Sequence, residues 1–196
     1  MAPQVPTPVA TLTRRTIAFL IDGLVLAPVY VIYAVVLDAL FGPLVGPGAD
    51  GSSLVVVAVD PLRVAIDLTL TILTDAAYFA GCWALWNATP GQRLCGVAVR
   101  TIASGAATGA AAPRAAGPDR VPLPVATVRW AFLQLLVLCT GTLGAAGAIP
   151  LDAVAGINAG WYAFLFFSAA LNPLRRGLHD RAAGTIVVWT RARRPG

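Results

Sequence analysis

Four long apolar runs alternate along the chain with segments that are polar or rich in glycine and proline. A helix needs about 20 consecutive apolar residues to cross the hydrocarbon core of a bilayer, and each run is close to that length. The pattern therefore predicts an all-α membrane protein whose four transmembrane helices form a bundle. The predicted spans are about residues 16–40, 62–87, 126–146 and 153–171.

Two short segments outside the spans are rich in β-branched residues, which favour strands. Residues 94–101 follow the second span, and residues 185–190 follow the fourth. Because both segments leave the membrane on the same side of a four-span topology, we expect them to pair as a short two-stranded cytoplasmic β element. Residues 14–190 then form the transmembrane domain, between a flexible tail at 1–13 and a basic tail at 191–196.

The glycine-rich stretch 141–160 has two interpretations. Pro150 and Asp152 favour a turn between the third and fourth spans. The alternative is one broken helix that continues into a re-entrant segment.

Composition strengthens the membrane interpretation. The chain is 58% hydrophobic and 12% charged, whereas a soluble domain typically has about 25% charged residues. Its basic residues are all arginine and its acidic residues all aspartate, which we attribute to coding bias. We assign the net charge of +5 to membrane orientation and predict no nucleic-acid binding, because no basic stripe interleaved with aromatic residues lies outside the spans.

The distribution of arginine predicts the orientation of the spans. Arginines precede the first span, follow the second and follow the fourth, whereas the connections after the first and third spans are mainly acidic. Cytoplasmic segments carry an excess of Lys and Arg. We therefore predict a multi-pass protein of the cell membrane with both termini in the cytoplasm.

Carboxylates inside the predicted spans are the main candidates for function, because they are costly in hydrocarbon and usually have a partner or a role. Asp22 lies in the first span. In the second span, one quarter of the helical circle contains the polar residues Asp67, Thr71, Thr74, Asp75 and Tyr78. This face is either the lining of a path for an ion or small solute or a polar seam between helices.

The two carboxylates of the second span differ in their local surroundings. Arg63 lies four residues before Asp67, so an interfacial ion pair would satisfy both. Asp75 has no basic residue within one helical turn. Its partner must therefore be another helix, water or a bound proton.

The sequence shows no pattern typical of catalysis, a metal site or a cofactor. The three cysteines follow no CxxC spacing, and the single histidine has no clustered ligands. We therefore predict that the protein is not an enzyme and has neither metal nor cofactor.

The lipid bilayer is the expected partner of the four spans. Gly156 and Gly160 form a GxxxG spacing, which permits close helix packing. A homo-oligomer or a larger membrane complex is the corresponding candidate assembly.

Three segments together resemble the RDD family of bacterial membrane proteins, which is named for one Arg and two Asp residues. RRTIAFLID at 14–22 resembles the opening motif of the family. TPGQRLCGVAVRT at 89–101 is similar to its TPGK-type turn with a short strand, although Gln92 stands where Lys is commoner. RRGLHDRAAGTIVV at 175–188 resembles its closing motif. The resemblance implies that Arg15, Asp22 and Asp180 are the family-motif charges.

The motif charges all fall at one predicted membrane depth. Pairing of the two strands would bring the closing motif beside the loop after the second span, so we expect Asp180 near Arg15 and Asp22. The candidate partners in this charge cluster are Arg93, His179 and Arg181. Arg93 and Arg181 are the candidates for Asp22. The cluster is either a cytoplasmic gate or ion-entry site, or a structural contact that closes the bundle.

Two functions follow as hypotheses. The resemblance implies mostly architecture, but some members of the family are associated with cation/proton antiport and others accompany larger envelope transport systems. The first hypothesis is transport of a cation, a proton or a small solute, with Asp22 and Asp75 as carriers. The alternative is a non-catalytic accessory or scaffold subunit of a larger cell-envelope transport complex.

Overall fold

A computed structural model describes residues 9–43, 45–47, 54–56, 60–102 and 120–190. The helices of this part of the chain are α1 (Leu12–Phe41), α2 (Pro61–Trp86), α3 (Pro90–Leu94), α4 (Leu123–Ala145), α5 (Leu151–Ala170) and α6 (Leu178–Ala182). Four of them, α1, α2, α4 and α5, are long and apolar enough to cross a membrane. The prediction of a mainly helical protein with four spans is confirmed.

α1 has a narrow buried stripe and a wide apolar surface. Ala18, Asp22 and Leu26 are buried and lie four residues apart, on one face of the helix. Large apolar side chains on its other faces are exposed, among them Leu20, Leu24, Val31, Val35 and Leu40. A soluble protein rarely exposes so large an apolar area, whereas lipid would cover it.

α2 begins with a cap and contains one irregular turn. Asp60 accepts a hydrogen bond from the N–H of Leu62, and Pro61 occupies the first helical position, where its missing N–H costs nothing. Residues Ala76–Gly81 form a π-helical turn before the helix resumes. A π-helical turn is wider than an α-helical one, so it rotates the residues that follow it relative to Asp75.

The two predicted strands pair, as expected. β3 (Val97–Thr101) and β4 (Thr185–Trp189) are antiparallel, with Val99 opposite Val187. A second antiparallel pair, β1 (Val45–Pro47) with β2 (Leu54–Val56), follows α1 and was not predicted from its glycine- and proline-rich surroundings. The predicted two-stranded element is the β3–β4 pair.

The N-terminal segment differs from the predicted flexible tail at residues 9–13. The Ala10 N–H donates to the carbonyl of Val187 at 3.0 Å, and α1 begins two residues later. The edge of β4 offers unpaired backbone groups, which an extended chain can satisfy. The rest of the two predicted tails, residues 1–8 and 191–196, lies outside the described residues.

The stretch 141–160 contains a turn between two spans. α4 ends at Ala145 and α5 begins at Leu151, so the broken-helix alternative is wrong. Gly147 adopts a φ of 70°, a left-handed conformation that a glycine reaches without steric cost.

Candidate functional site

A buried charge cluster joins the beginnings of α1, α4 and α6. Asp180 is completely buried and accepts from Arg15 Nη1 at 3.0 Å and from Arg129 Nη1. The backbone N–H of Gly177 also donates to its carboxylate at 3.2 Å. His179 Nε2 lies 3.7 Å from the same carboxylate. We call Arg15, Arg129, His179 and Asp180 the Asp180 cluster.

The protonation of the cluster follows from its geometry. Burial alone would raise the pKa of Asp180, but Arg129, His179, Arg15 and the N–H of Gly177 together hold that pKa well below its usual range. Burial lowers the pKa of His179 to about 4. Asp180 opposes this shift, and Arg129 and Arg15 add to it. At neutral pH, His179 is therefore neutral, and two arginines face one ionised aspartate.

Arg129 is a central member of the cluster that sequence reasoning did not single out. It is buried, donates to Thr185 Oγ1 at 2.9 Å and lies 4.6 Å from the ring centre of Trp83. The signal in the sequence is an arginine near the start of an apolar span, and a long cationic side chain at a span end usually extends to the membrane interface. Its carboxylate partner is 51 positions away in sequence, so no local pattern reveals the pair.

The predicted partners of Asp22 are wrong. Arg93 lies over the ring of Trp86 at 5.0 Å, and Arg181 is exposed. Neither makes a salt bridge to Asp22 in the part of the chain that the structure describes. The carboxylate of Asp22 is instead satisfied by hydrogen-bond donors, because a short helix packs directly on it.

Asp22 anchors the TPG turn to α1. Its buried carboxylate accepts from Thr89 Oγ1 at 2.5 Å, from the N–H of Gly91 at 2.8 Å and from Tyr78 Oη at 2.7 Å. A Cβ at Gly91 would overlap the carbonyl of Ala18 and lie 2.8 Å from Asp22 Oδ1. The turn therefore needs glycine for close approach, and Asp22 needs no cation.

A cavity of about 460 Å³, here called the central cavity, lies between α1, α2, α4 and α5. Its polar lining includes Tyr30, Tyr33, Asp67, Thr71, Asp75 and Gln134. Asp75 is buried and accepts a hydrogen bond from Tyr30 Oη of α1. The partner of Asp75 thus comes from another helix, which was one of the predicted alternatives.

The predicted ion pair between Arg63 and Asp67 does not form. Arg63 instead makes a salt bridge with Asp38, near the end of α1. A long helical side chain points toward the N-terminus of its own helix, which takes Arg63 away from Asp67 and toward the neighbouring helix end. Asp67 is left half-buried in the wall of the central cavity.

The predicted polar face of α2 divides into two parts. Asp67, Thr71 and Asp75 line the central cavity. Thr74 and Tyr78 belong to seams with α1, since Thr74 Oγ1 lies 2.8 Å from Tyr33 Oη and Tyr78 binds Asp22. One part of this face is therefore the interhelical seam that was one of the predicted alternatives, and the other part lines a cavity.

A second cavity, of about 210 Å³, lies between the central cavity and the Asp180 cluster. Its lining includes Arg15, Asp22, Gln92, Arg129 and His179. Both cavities are also lined by Phe19, Phe79 and Tyr162, which we call the aromatic layer. The ring of Phe19 is 6.4 Å from that of Phe79 and 5.5 Å from that of Tyr162.

A third cavity, of about 350 Å³, continues from the central cavity toward the turn between α4 and α5. Asp67, Thr71, Val137 and Leu138 line both of them. The far wall of the third cavity includes Ala145 and Leu151 beside that turn. The three cavities thus follow one another through the bundle.

The GxxxG glycines face away from the rest of the described chain. Gly156 and Gly160 are exposed, and nothing lies within 4 Å of a Cβ built at either position. They do not mediate packing among the described helices. Close approach by another helix remains sterically open there.

The described residues contain no group of three or more His, Cys, Asp or Glu side chains placed to hold a metal ion. The carboxylates of the bundle are instead distributed singly. Asp22, Asp75 and Asp180 each have partners of a different kind: backbone and hydroxyl donors, a tyrosine, and two arginines.

Four apolar spans around buried polar side chains define a multi-pass helical membrane protein. The sequence model of the RDD family matches residues 9–184, and the chain belongs to the RDD family. The resemblance carried by the three motifs is thereby confirmed. Comparisons with curated proteins and with solved structures gave no match.

Proposed function

We propose that this protein transports a small cation or a proton across the cell membrane, with Asp75 as the carrier carboxylate. The observation that supports this most is a buried aspartate in a cavity within the spans, paired with a tyrosine rather than with an arginine. A carboxylate in this environment is costly, and its charge attracts a cation or a proton.

The chain of cavities supports the same proposal. The described lining of the central cavity contains two aspartates and no arginine or histidine. A cation entering from the third cavity would meet Asp67 before Asp75, because Asp67 lines both cavities and Asp75 lines the central cavity but not the third. The aromatic layer then separates it from the second cavity. Alternating access requires a barrier on one side of the binding site, and the aromatic layer is the candidate for that barrier.

The Asp180 cluster has a structural role in this proposal. Its buried aspartate is already compensated by Arg15 and Arg129, and Asp22 is saturated by three donors. Following the arginine distribution, we place this end of the bundle and both termini in the cytoplasm. Transport requires no covalent bond to be made or broken, so the proposed function does not involve catalysis.

Flux measurements on purified protein in liposomes test the proposal. Asp75→Asn keeps the size of the side chain and removes its charge, so we expect it to abolish cation or proton flux. Asp152→Asn, at the exposed start of α5, is the matched control and should keep wild-type flux. Wild-type flux in a folded Asp75→Asn protein would contradict the carrier role.

A second candidate is an accessory subunit of a larger membrane complex or a homo-oligomer. The exposed Gly156 and Gly160 favour it, because glycines on a helix surface allow close packing of a second helix. Co-purification from the native membrane distinguishes the two roles. Gly156→Leu with Gly160→Leu should release a bound partner, whereas Ala170→Leu, also exposed on α5, should not.

A further inference from the structure

The central cavity combines carboxylates with aromatic rings. Its described lining includes Asp67 and Asp75 together with the rings Phe19, Tyr30, Tyr33, Phe79 and Tyr162. We infer that the cavity binds an organic ammonium cation, with the carboxylates supplying charge and the rings supplying cation–π contacts. This inference rests on the proposed function and names the class of its substrate.

The charge of the cavity lining determines the sign of the charge that a ligand should carry. Asp75 accepts from Tyr30, a neutral donor, and Asp67 is not paired with Arg63. The described lining contributes no positive side chain to offset them. Because opposite charges attract more strongly in a cavity of low dielectric constant than in water, a cation is favoured over a neutral or anionic ligand.

The aromatic rings favour an ammonium group that carries organic substituents. A cation within about 6 Å of a ring centre is attracted to the face of the ring, and quaternary ammonium groups are bound in this way by sets of aromatic side chains. Tyr30 and Tyr33 stand edge to face with centres 6.4 Å apart, and Phe19 and Tyr162 are tilted at 5.5 Å. Phe19, Tyr30 and Tyr33 all belong to α1, so the two pairs border the cavity at different levels along that helix. Tyr30 also binds Asp75, so an organic cation beside this carboxylate meets an aromatic ring as well as a charge.

The dimensions also favour an organic cation over a dehydrated metal ion. A volume of about 460 Å³ falls in the range of about 300–1,000 Å³ that is usual for small-molecule sites. A metal ion needs several oxygen ligands that converge on one point. Here the hydroxyl of Tyr33 pairs with Thr74 and that of Tyr162 donates to Gln134 at 2.8 Å, so the oxygens are held along the wall.

Binding of tetraethylammonium to the purified full chain in nanodiscs tests the inference, with isothermal titration calorimetry as the measurement. We expect saturable binding that sodium and potassium do not displace at equal concentration. The double variant Asp67→Asn with Asp75→Asn should bind more weakly, with a dissociation constant raised by at least about tenfold. Tyr33→Leu should raise the dissociation constant by roughly two- to tenfold, as expected for the loss of one cation–π contact.

Two controls separate the site from the protein surface and from lipid. Phe167→Leu removes an exposed aromatic ring of α5 that does not line the central cavity, and should leave binding unchanged. Empty nanodiscs measure the tetraethylammonium taken up by lipid. Unfolding midpoints show whether each variant is folded.

The outcomes distinguish the inference from the proposed function. Flux of protons or alkali cations that depends on Asp75, without saturable tetraethylammonium binding, would overturn the ligand class and leave transport intact. Saturable binding that is equal in wild type and in the folded double Asn variant would also overturn the inference. Absence of both binding and flux would overturn the proposed function as well.

Discussion

The buried carboxylates show how the partner of a charge decides its role. Asp180 faces two arginines and remains ionised, which makes it a fixed part of the structure. Asp22 accepts three hydrogen bonds and holds the TPG turn. Asp75 is paired with Tyr30 and borders a cavity, so it is the carboxylate with room for a ligand beside it.

His179 makes the stability of the Asp180 cluster sensitive to pH. Burial lowers its pKa from 6.5 to about 4, so between these values the unfolded chain binds more protons than the folded chain. Stability should therefore fall as pH is lowered from about 6.5 to 4, by at most about 1.4 kcal/mol per pH unit. Thermal unfolding in nanodiscs across this pH window measures the slope.

His179→Gln is the variant that isolates this effect, because glutamine does not titrate. Its unfolding midpoint should decline less between pH 6.5 and 4 than that of wild type. The lowered pKa of Asp180 places the loss of its own contribution below this window. Equal pH slopes for wild type and His179→Gln would contradict the role of the buried neutral histidine.

The short elements between the spans are positioned by the spans themselves. α3 begins with a capping box, in which Thr89 and Gln92 satisfy each other's backbone N–H groups, and it packs against α1. Trp83 donates to the same Gln92 at 3.0 Å, which links α3 to α2 as well. Glutamine at this position therefore has a structural use where the family pattern commonly has lysine.

Gly91 is the residue at which this packing is most sensitive. Gly91→Ala introduces a methyl group against Ala18 and Asp22, and we expect it to destabilise the protein by about 1–3 kcal/mol, as is usual for overpacking. Gly23→Ala on α1 is the control, because nothing lies within 4 Å of a Cβ there. Chemical denaturation in detergent measures both; equal stabilities would show that α3 does not pack as described.

At the scale of the whole molecule, the aromatic layer divides the polar interior of the bundle. The central cavity contains the candidate carrier Asp75, and the second cavity borders Asp22 and the Asp180 cluster. Phe19, Phe79 and Tyr162 line both cavities, and Phe19 contacts both other rings of the layer. Removing its ring should therefore connect the two cavities.

Phe19→Ala should increase passive proton leak through the protein in liposomes several-fold, which a pH-sensitive dye inside the vesicles detects. The physical reason is that a continuous wetted path replaces the ring contacts. Phe164→Ala removes an exposed ring of the same kind from α5 and should leave the leak at the wild-type level. A folded Phe19→Ala protein with wild-type leak would show that the layer is not the barrier.

Much of the architecture was predictable because it depends on local patterns. Hydropathy identified the four spans, and β-branched residues identified the strands of β3–β4. The opening and closing motifs indicated that Arg15 and Asp180 belong together, and they lie 3.0 Å apart. Two kinds of assignment were wrong: Arg63 was paired with Asp67 by proximity in sequence, and Arg93 and Arg181 were paired with Asp22 by their common membrane depth.

The sequence by itself determined the four helices of the described chain that are long and apolar enough to cross a membrane, since a helical span needs about 20 consecutive apolar residues. Only the tertiary structure decided what Asp22 and Asp75 bind, and that Arg129 is a second partner of Asp180. Gly91 and Asp22 are 69 positions apart, Arg129 and Asp180 are 51 apart, and Tyr30 and Asp75 are 45 apart. Such partners are chosen by helix packing, which also leaves the cavities, and neither follows from the spacing of residues along one helix.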